Sequence, residues 1–507
     1  MNLSSLLLQS SLRYPHHQAL LDWDSKKSFS YSELEQAVSC SAHLFSIRGF
    51  QKGDRVALLL PNGFDFIIGY FALLRVGATV ITINPMLKSE ELAYIFKNGE
   101  IRGIVLHRDF QVEAQKGLRH LSCSVDQILV SDEEGLASLS KGHPEYYEPA
   151  MGPADEKAVL IYTSGTTGVP KGVVISNENL FYMNQACIDI YEYEEKDRVI
   201  GVLPFSHIFG QTAIVTAILS KGGLVLFQKR FSTDTILPMI AEGRATVMMG
   251  VPTMYFYILN HSEKNKYDLS SLRLCVSGGA PMPMDIYRRL KMEMKATVMV
   301  QYGLTESGLA ISNRIGSKGE KPGSVGIPAK TVEVKIADDK GNSFPPGETG
   351  ELLLRGPNII KEYYRNPEET SAALVDGWLR TGDLAFQDEE GYVTIVDRKK
   401  EMILRGGFNV YPKEVEEILY SHPKIAEAAV IGVPDPAKGE EVKAFVSLKP
   451  NELLTTEELK EFCRIKIANY KCPTFFEILP ELPKGSTGKI LKKLLKRNTD
   501  GSPQQFG

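Results

Sequence analysis

Between Arg55 and Gly303 the sequence repeatedly sets a short apolar, β-branched run between helical stretches, and this alternation constrains the fold more than any other feature. The runs are RVALLL (55–60), ATVITI (78–83), GIVLH (103–107), KAVLIYT (157–163), RVIGVLP (198–204), GGLVLF (222–227), ATVMMGVP (245–252), LRLCVSGGAP (272–281) and TVMVQYG (297–303). Runs without polar alternation bury both faces, as parallel strands do when helices cover each side. The fold class is therefore α/β. Among the intervening helices, Ser32 with Glu35 reads as a capping box ahead of an apolar period that begins at Leu34, and Gly49 closes that helix. Further helices are expected over 64–76 and from Ser89 to Lys97, the latter closed by Asn98-Gly99.

From about residue 321 to 396 the pattern becomes glycine-punctuated short strands, TVEVKIA, GELLLRG and GYVTIVD, which indicate a small β-rich subdomain. It changes again after the charged patch Asp397-Arg398-Lys399-Lys400. Pro412 stands at a first helical turn, strand-like AEAAVIGV and VKAFVSL follow, and Thr455 with Glu458 caps a helix expected to reach about Tyr470. A final basic helix follows Lys489. With 507 residues, too many for one core, the expectation is a large N-terminal domain of α/β sheets with the β-rich subdomain (1–396) and a hinge (397–400). Beyond the hinge come a mobile α+β C-terminal domain (401–497) and a disordered tail (498–507).

A net charge of −4 provides no basic field, so nucleic acid is not expected as a partner. Six scattered cysteines without a CxxC pair argue for a reducing compartment and against structural zinc. The N-terminal MNLSSLLLQSSLRYPHHQ lacks a basic n-region and a cleavage site, and no run approaches the roughly 18 apolar residues of a membrane span. A cytoplasmic monomer or homodimer is expected, with peripheral membrane contact open.

The stretch YTSGTTGVPKG (162–172) leaves a strand, as phosphate loops do. Successive N–H groups in its glycine-rich turn suit an anion, Thr163, Ser164, Thr166 and Thr167 add hydroxyls, and Lys171 adds a charge. Its composition suits a surface turn equally well. It is not a Walker A loop, because Pro170 replaces the second glycine and Gly172 replaces Ser or Thr after Lys171. The apolar GVVI that follows reads as a strand, where a P-loop needs a helix.

The loop resembles the signature of the adenylate-forming superfamily, which contains acyl-CoA synthetases, firefly-type luciferases and peptide-synthetase adenylation domains. Companions follow in order: LPFSHIFG (203–210), SGGAP (277–281), QYGLTES (301–307), GWLRTGDLA (377–385), DRKKEMILRGGFNVYPKEVEE (397–417) and PKGSTGK (483–489). The resemblance covers essentially residues 10–497 and implies ATP, Mg²⁺ and coenzyme A. By it, Thr163, Ser164, Gly165, Thr166, Thr167, Gly168 and Lys171 hold the β- and γ-phosphates. Gly278, Gly279, Ala280, Gln301, Tyr302, Gly303 and Thr305 form the nucleotide site around the adenine, the glycines admitting a flat ring. Asp383 takes both ribose hydroxyls, and Arg398 joins it. Glu306 binds Mg²⁺, His207 gates the acyl carboxylate, and Lys489 is the mobile lysine of adenylation. Lys400 is the hinge, and Arg405, Gly406 and Gly407 meet the pantetheine arm. Thr163, Lys171, His207, Glu306 and Lys489 form the implied catalytic set, with Lys492 at a position where the family often has arginine. Taken singly, these residues have plainer readings, such as a solvated glutamate, a turn aspartate, a structural histidine and a surface lysine.

The segment TVMMGVPTMYFYIL (246–259) carries no charge, and neither 198–215 nor 246–281 offers an acidic residue expected to hold an amino-acid ammonium. The same composition also describes a core strand and helix. An apolar carboxylic acid is favoured as substrate. GVPTMY, LRLCVSGGAPMP and KEYYRNPEET resemble bacterial medium- or long-chain fatty acid:CoA ligases, with an aryl-acid:CoA ligase, or an enzyme loading a carrier protein, as the alternatives.

Overall fold

The computed structural model describes residues 2–122, 124–164, 170–316, 321–485 and 488–499. Four sheets organise them. A six-stranded sheet runs in the order Asp126–Val130, Gly103–His107, Arg55–Leu59, Thr79–Thr82, Lys157–Ser164, Pro170–Ser176. A nine-stranded sheet starts at the short edge Ile327–Pro328 and continues through Gly308–Ser312, Thr297–Leu304, Leu274–Ser277, Val247–Gly250, Arg198–Gly201 and Leu224–Phe227. It ends on two N-terminal strands, Gln18–Asp22 and Ser28–Ser30. The expected apolar runs are these strands, and those at Thr79–Thr82, Leu224–Phe227, Val247–Gly250 and Leu274–Ser277 are buried along their whole length. Each buried Val or Leu there contributes about 1.5–3 kcal/mol, which offsets the ordering of the strand backbone.

Pairing is parallel inside both large sheets; it is antiparallel at both edges of the nine-stranded sheet and at one edge of the six-stranded sheet, whose other edge, Asp126–Val130, is parallel. The antiparallel edge of the six-stranded sheet is the hairpin of Lys157–Ser164 with Pro170–Ser176, which places Thr163 opposite Lys171. The segment after Lys171 is thus a strand, as its β-branched composition requires.

Glu333–Ala337, Gly350–Arg355, Leu374–Val375, Trp378–Gln387 and Val393–Arg398 form the β-rich sheet. Asp397 and Arg398 close its last strand, so the turn into the next domain starts at Lys399. The C-terminal sheet runs Phe408–Val410, Ile403–Arg405, Gly439–Leu448, Ile425–Asp435, with Phe475–Ile478 beside Gly439–Leu448. Helix Pro412–Tyr420, with Pro412 in its first turn, and helix Thr456–Lys466 pack on it around Val415, Leu419, Val430, Val446 and Leu459.

Three local expectations are corrected. The capping box of the first long helix, Tyr31–Ile47, is Ser30 with Glu33 instead of Ser32 with Glu35. SYSELE contains the S-x-x-E pattern in both registers, and Glu35 is drawn away by Arg75, whose Nη2 donates to its Oε2 at 2.9 Å in the core. The helix capped by Thr455 and Glu458 stops at Lys466, four residues before Tyr470, because Ile467 is extended and the chain turns toward Arg405. The last helix, Lys492–Thr499, includes two residues of the expected tail; 500–507 lie outside the described residues.

Candidate active site

A cleft of about 760 Å³ opens at the carboxyl ends of Val247–Gly250, Leu274–Ser277 and Thr297–Leu304, with the β-rich sheet and the C-terminal domain forming its other walls. Open α/β sheets bind ligands at such strand ends. The lining includes Thr163, Lys171, His207, Gly278, Gly279, Gln301, Gly303, Thr305, Glu306, Asp383, Arg398, Lys400 and Lys489. Residues spread over more than 300 positions of sequence therefore converge on one cavity. Gly165, Thr166, Thr167 and Gly168 lie outside the described residues, and Ser164 enters only as the end of its strand.

Chain packing explains the glycines at these strand ends. A Cβ on Gly278 would stand 2.9 Å from Gln301 Cγ, and one on Gly303 would stand 2.1 Å from the Gly308 carbonyl. Gly279 has φ +78°, in the left-handed region. Gln301 accepts the Tyr191 hydroxyl. Ala280 is absent from the lining, and Tyr302 serves it indirectly by donating to Asp383 Oδ2 at 2.5 Å.

Asp383 and Arg398 are register partners on adjacent antiparallel strands, with Arg398 Nε 3.3 Å from Asp383 Oδ1. Burial raises the Asp383 carboxyl above its ordinary range, against Arg398 and Tyr302, which favour its charged form. Glu306 accepts the Tyr363 hydroxyl at 2.8 Å, and Lys171 pairs with Glu369. Tyr363 and Glu369 were missed as individual site residues. The signal was present in KEYYRNPEET, where Asn366 caps the short helix Pro367–Ala373 and so fixes Glu369.

His207 stands on the apolar side. Its Nδ1 accepts from Phe209 N at 3.3 Å, which puts the ring proton on Nε2, and burial together with Lys489 pushes its pKa down to about 4. It is a neutral ring with its donor on Nε2. Lys489 projects into the open cleft, solvent-reached but enclosed by protein. That confinement, with Arg398 opposing it, lowers its ammonium to about 8, while Glu401 and Asp383 work the other way.

Arg405, Gly406 and Gly407 are not in this cleft. Gly406 and Gly407, at φ +58° and +84°, form the two-residue turn between Ile403–Arg405 and Phe408–Val410, which demands positive φ at both positions. Arg405 is held inside its own domain by Glu441, Thr474 and the carbonyls of Asn469, Tyr470 and Cys472. Within TVMMGVPTMYFYIL the core reading holds for Met254 and Tyr255, the Tyr255 hydroxyl donating toward the Met248 and Val276 carbonyls, and from this segment Val251 alone lines the cleft.

Residues 7–364 match the model of AMP-binding enzymes, and residues 414–489 match the model of the AMP-binding enzyme C-terminal domain. The chain belongs to the AMP-binding enzyme family. This AMP-binding enzyme is 36% identical over 535 aligned residues to a long-chain-fatty-acid–CoA ligase of Bacillus subtilis, covering 98% of this chain and 95% of that one. It is 34% identical to a feruloyl-CoA synthase of Amycolatopsis, covering 93% and 94%. Its fold matches ATP-bound MatB from Rhodopseudomonas palustris with a TM-score of 0.91 at 30% identity, covering 99% of both chains. The apo form of that protein matches with a TM-score of 0.78 at 30% identity.

Proposed function

We propose that this AMP-forming acid–thiol ligase takes a fatty acid, joins it to AMP, and passes the acyl group to coenzyme A. One observation carries the choice of acid. The cleft lining includes Cys187, Tyr191, Ile208, Thr212, Ala213 and Leu309 as well as His207, and none of these six carries a charge. All six are buried, and a π-helical turn over Gly210–Thr216 supplies two of them. Such a wall suits an acyl chain and offers nothing to an ammonium.

In the first step a carboxylate oxygen bonds to the α-phosphorus of ATP and the bond to pyrophosphate breaks. Lys171 and Thr163 face the leaving phosphates, Asp383 with Arg398 holds the ribose, and Lys489 steadies the two anions as they meet. Mg²⁺, when bound, offsets phosphate charge; the protein offers it Glu306, a hard oxygen ligand in a cleft whose other ligands would be phosphates and water. In the second step the C-terminal domain turns about Lys400, withdrawing Lys489. The thiol sulfur bonds to the acyl carbon, the bond to AMP breaks, and the thiol proton passes to solvent.

Pyrophosphate release measured across straight-chain acids from acetate to stearate, with benzoate and ferulate alongside and coenzyme A present, tests the assignment. Saturable turnover is expected with the longer straight chains. Preference for ferulate would establish the aryl reading, which the feruloyl-CoA synthase similarity favours as second. Product found only on a carrier protein would displace coenzyme A as acceptor.

Two further results are expected. Ala213→Leu adds bulk to a wall that is already packed, and overpacking of about 1–3 kcal/mol corresponds to roughly 5- to 150-fold in kcat/KM. That loss should fall on long acids and spare acetate and the KM for ATP. The pH profile of adenylation should also report Lys489. Its charged form is the useful one and is lost above a pKa of about 8, so kcat/KM should fall as pH rises through that value. Lys489→Arg should remove this alkaline limb, and a limb that persists in the variant would assign it elsewhere.

A further inference from the structure

Lys489 reaches the cleft on a narrow hairpin. Lys484 and Ile490 pair across it, Gly485 N donates to the Lys489 carbonyl at 2.9 Å, and Leu491 N donates to the Pro483 carbonyl at 2.8 Å. The arm that carries Lys484 and the arm that carries Lys489 are thereby one unit.

Both arms rest on the same element of the large domain, the helix Pro252–Leu259. Thr253 Oγ1 donates to the Gly488 carbonyl at 3.2 Å, and Gly488, at φ +78°, leaves only 3.1 Å between its Cβ position and Val251 Cγ2. On the other arm, Lys484 Nζ donates to the Tyr257 hydroxyl at 3.2 Å and lies 5.5 Å from the centre of that ring. Lys484 is fixed from its own side by Glu427 and Glu481, each 2.9 Å away, and the Glu427 side chain is only 5% exposed. Burial works against the Lys484 charge, but these partners outweigh it and hold its pKa above the ordinary lysine range. The cation is thus anchored in the small domain and directed at an aromatic hydroxyl of the large one. Tyr257 is 42% exposed and is not among the cleft residues, so burial in a core and contact with substrate do not account for its position.

The geometry points to Tyr257 and Lys484 as an interdomain latch, a pair of positioning residues that set how much of the time Lys489 stands in the cleft. This rests on the reading that Lys489 serves adenylation and leaves before thioester formation. A latch made of one hydroxyl and one ring is strong enough to bias two arrangements and weak enough to release. A balance of a few kcal/mol or less between the states is what alternating half-reactions need.

The test measures both half-reactions in the full-length protein: acid-dependent pyrophosphate release, and thioester formation from supplied acyl-AMP and coenzyme A. In Tyr257→Ala, kcat for pyrophosphate release should fall about five-fold, the size of one partly exposed hydrogen bond. The KM values for ATP and acid should hold, and thioester formation should be equal or faster. Tyr257→Phe, which keeps the ring, should lie between Tyr257→Ala and wild type. Equal loss in both half-reactions, a raised KM with kcat intact, or no change in either would overturn the latch. If Lys489→Ala itself fails to separate the two half-reactions, the underlying reading falls instead, whatever Tyr257→Ala does.

Discussion

Lys489→Ala is expected to slow acid-dependent pyrophosphate release by on the order of 10²–10³, the usual loss when one fixed charge is removed from a developing oxyanion. Thioester formation from supplied acyl-AMP should be unchanged. The expectation comes from where the lysine is held. Its hairpin is closed by the Gly485 and Leu491 backbone bonds and docked through Gly488, so the ammonium enters the cleft on a backbone that docks with it. Around it stand Arg398, Glu401 and Asp383, which leave it charged near neutral pH, though less firmly than a lysine in water. Two anions must approach each other for the acyl-phosphate bond to form, and a cation between them acts on that encounter alone. Thioester formation joins a thiol to an acyl group already bonded to AMP, and the same cation has no second anion to bring in. An equal loss in the two half-reactions would mean that Lys489 supports the fold of the cleft, and the two-step use of the C-terminal domain would have to be abandoned.

Much of the site could be read from the chain, because each motif sits at the end of an element whose own pattern is local. VMMG and LCVS announce buried strands by composition, and the residues that follow them fall at the cleft by the geometry of parallel sheets. What could not be read depends on partners far away in sequence. Glu369 meets Lys171 across 198 positions, and Tyr363 meets Glu306 across 57. The strand Gln18–Asp22 pairs with Leu224–Phe227, a choice that nothing in QALLD specifies. The surroundings of Arg405 are a second case: three carbonyls, a hydroxyl and a buried glutamate meet its guanidinium. Only the folded domain brings those partners together. The capping-box slip between Ser30 and Ser32 is of the same kind, since Arg75, forty positions from Glu35, decides the register.

Asp383→Ala should cost on the order of 100-fold in kcat/KM for ATP. Two hydrogen bonds from ribose hydroxyls to a carboxylate contribute about 1.5–3 kcal/mol each, so their joint loss reaches that size even with partial replacement by water. The geometry makes the carboxylate suited to the task. Its backbone is pinned opposite Arg398 between two strands, its N–H donates to Thr381 Oγ1 at 3.1 Å, and Tyr302 orients Oδ2. Burial that raises its pKa also strengthens any hydrogen bond it accepts while charged. The Arg398 side chain is 40% exposed, so water can take over its charge in the variant. The decisive comparison is with 2′-deoxy-ATP. Wild type should discriminate against it, and Asp383→Ala should treat it and ATP alike, because the group that senses the missing hydroxyl is gone. Should the variant still discriminate, the ribose is held by another residue, and the role left for Asp383 is to keep Arg398 and Tyr302 in place at the edge of the cleft.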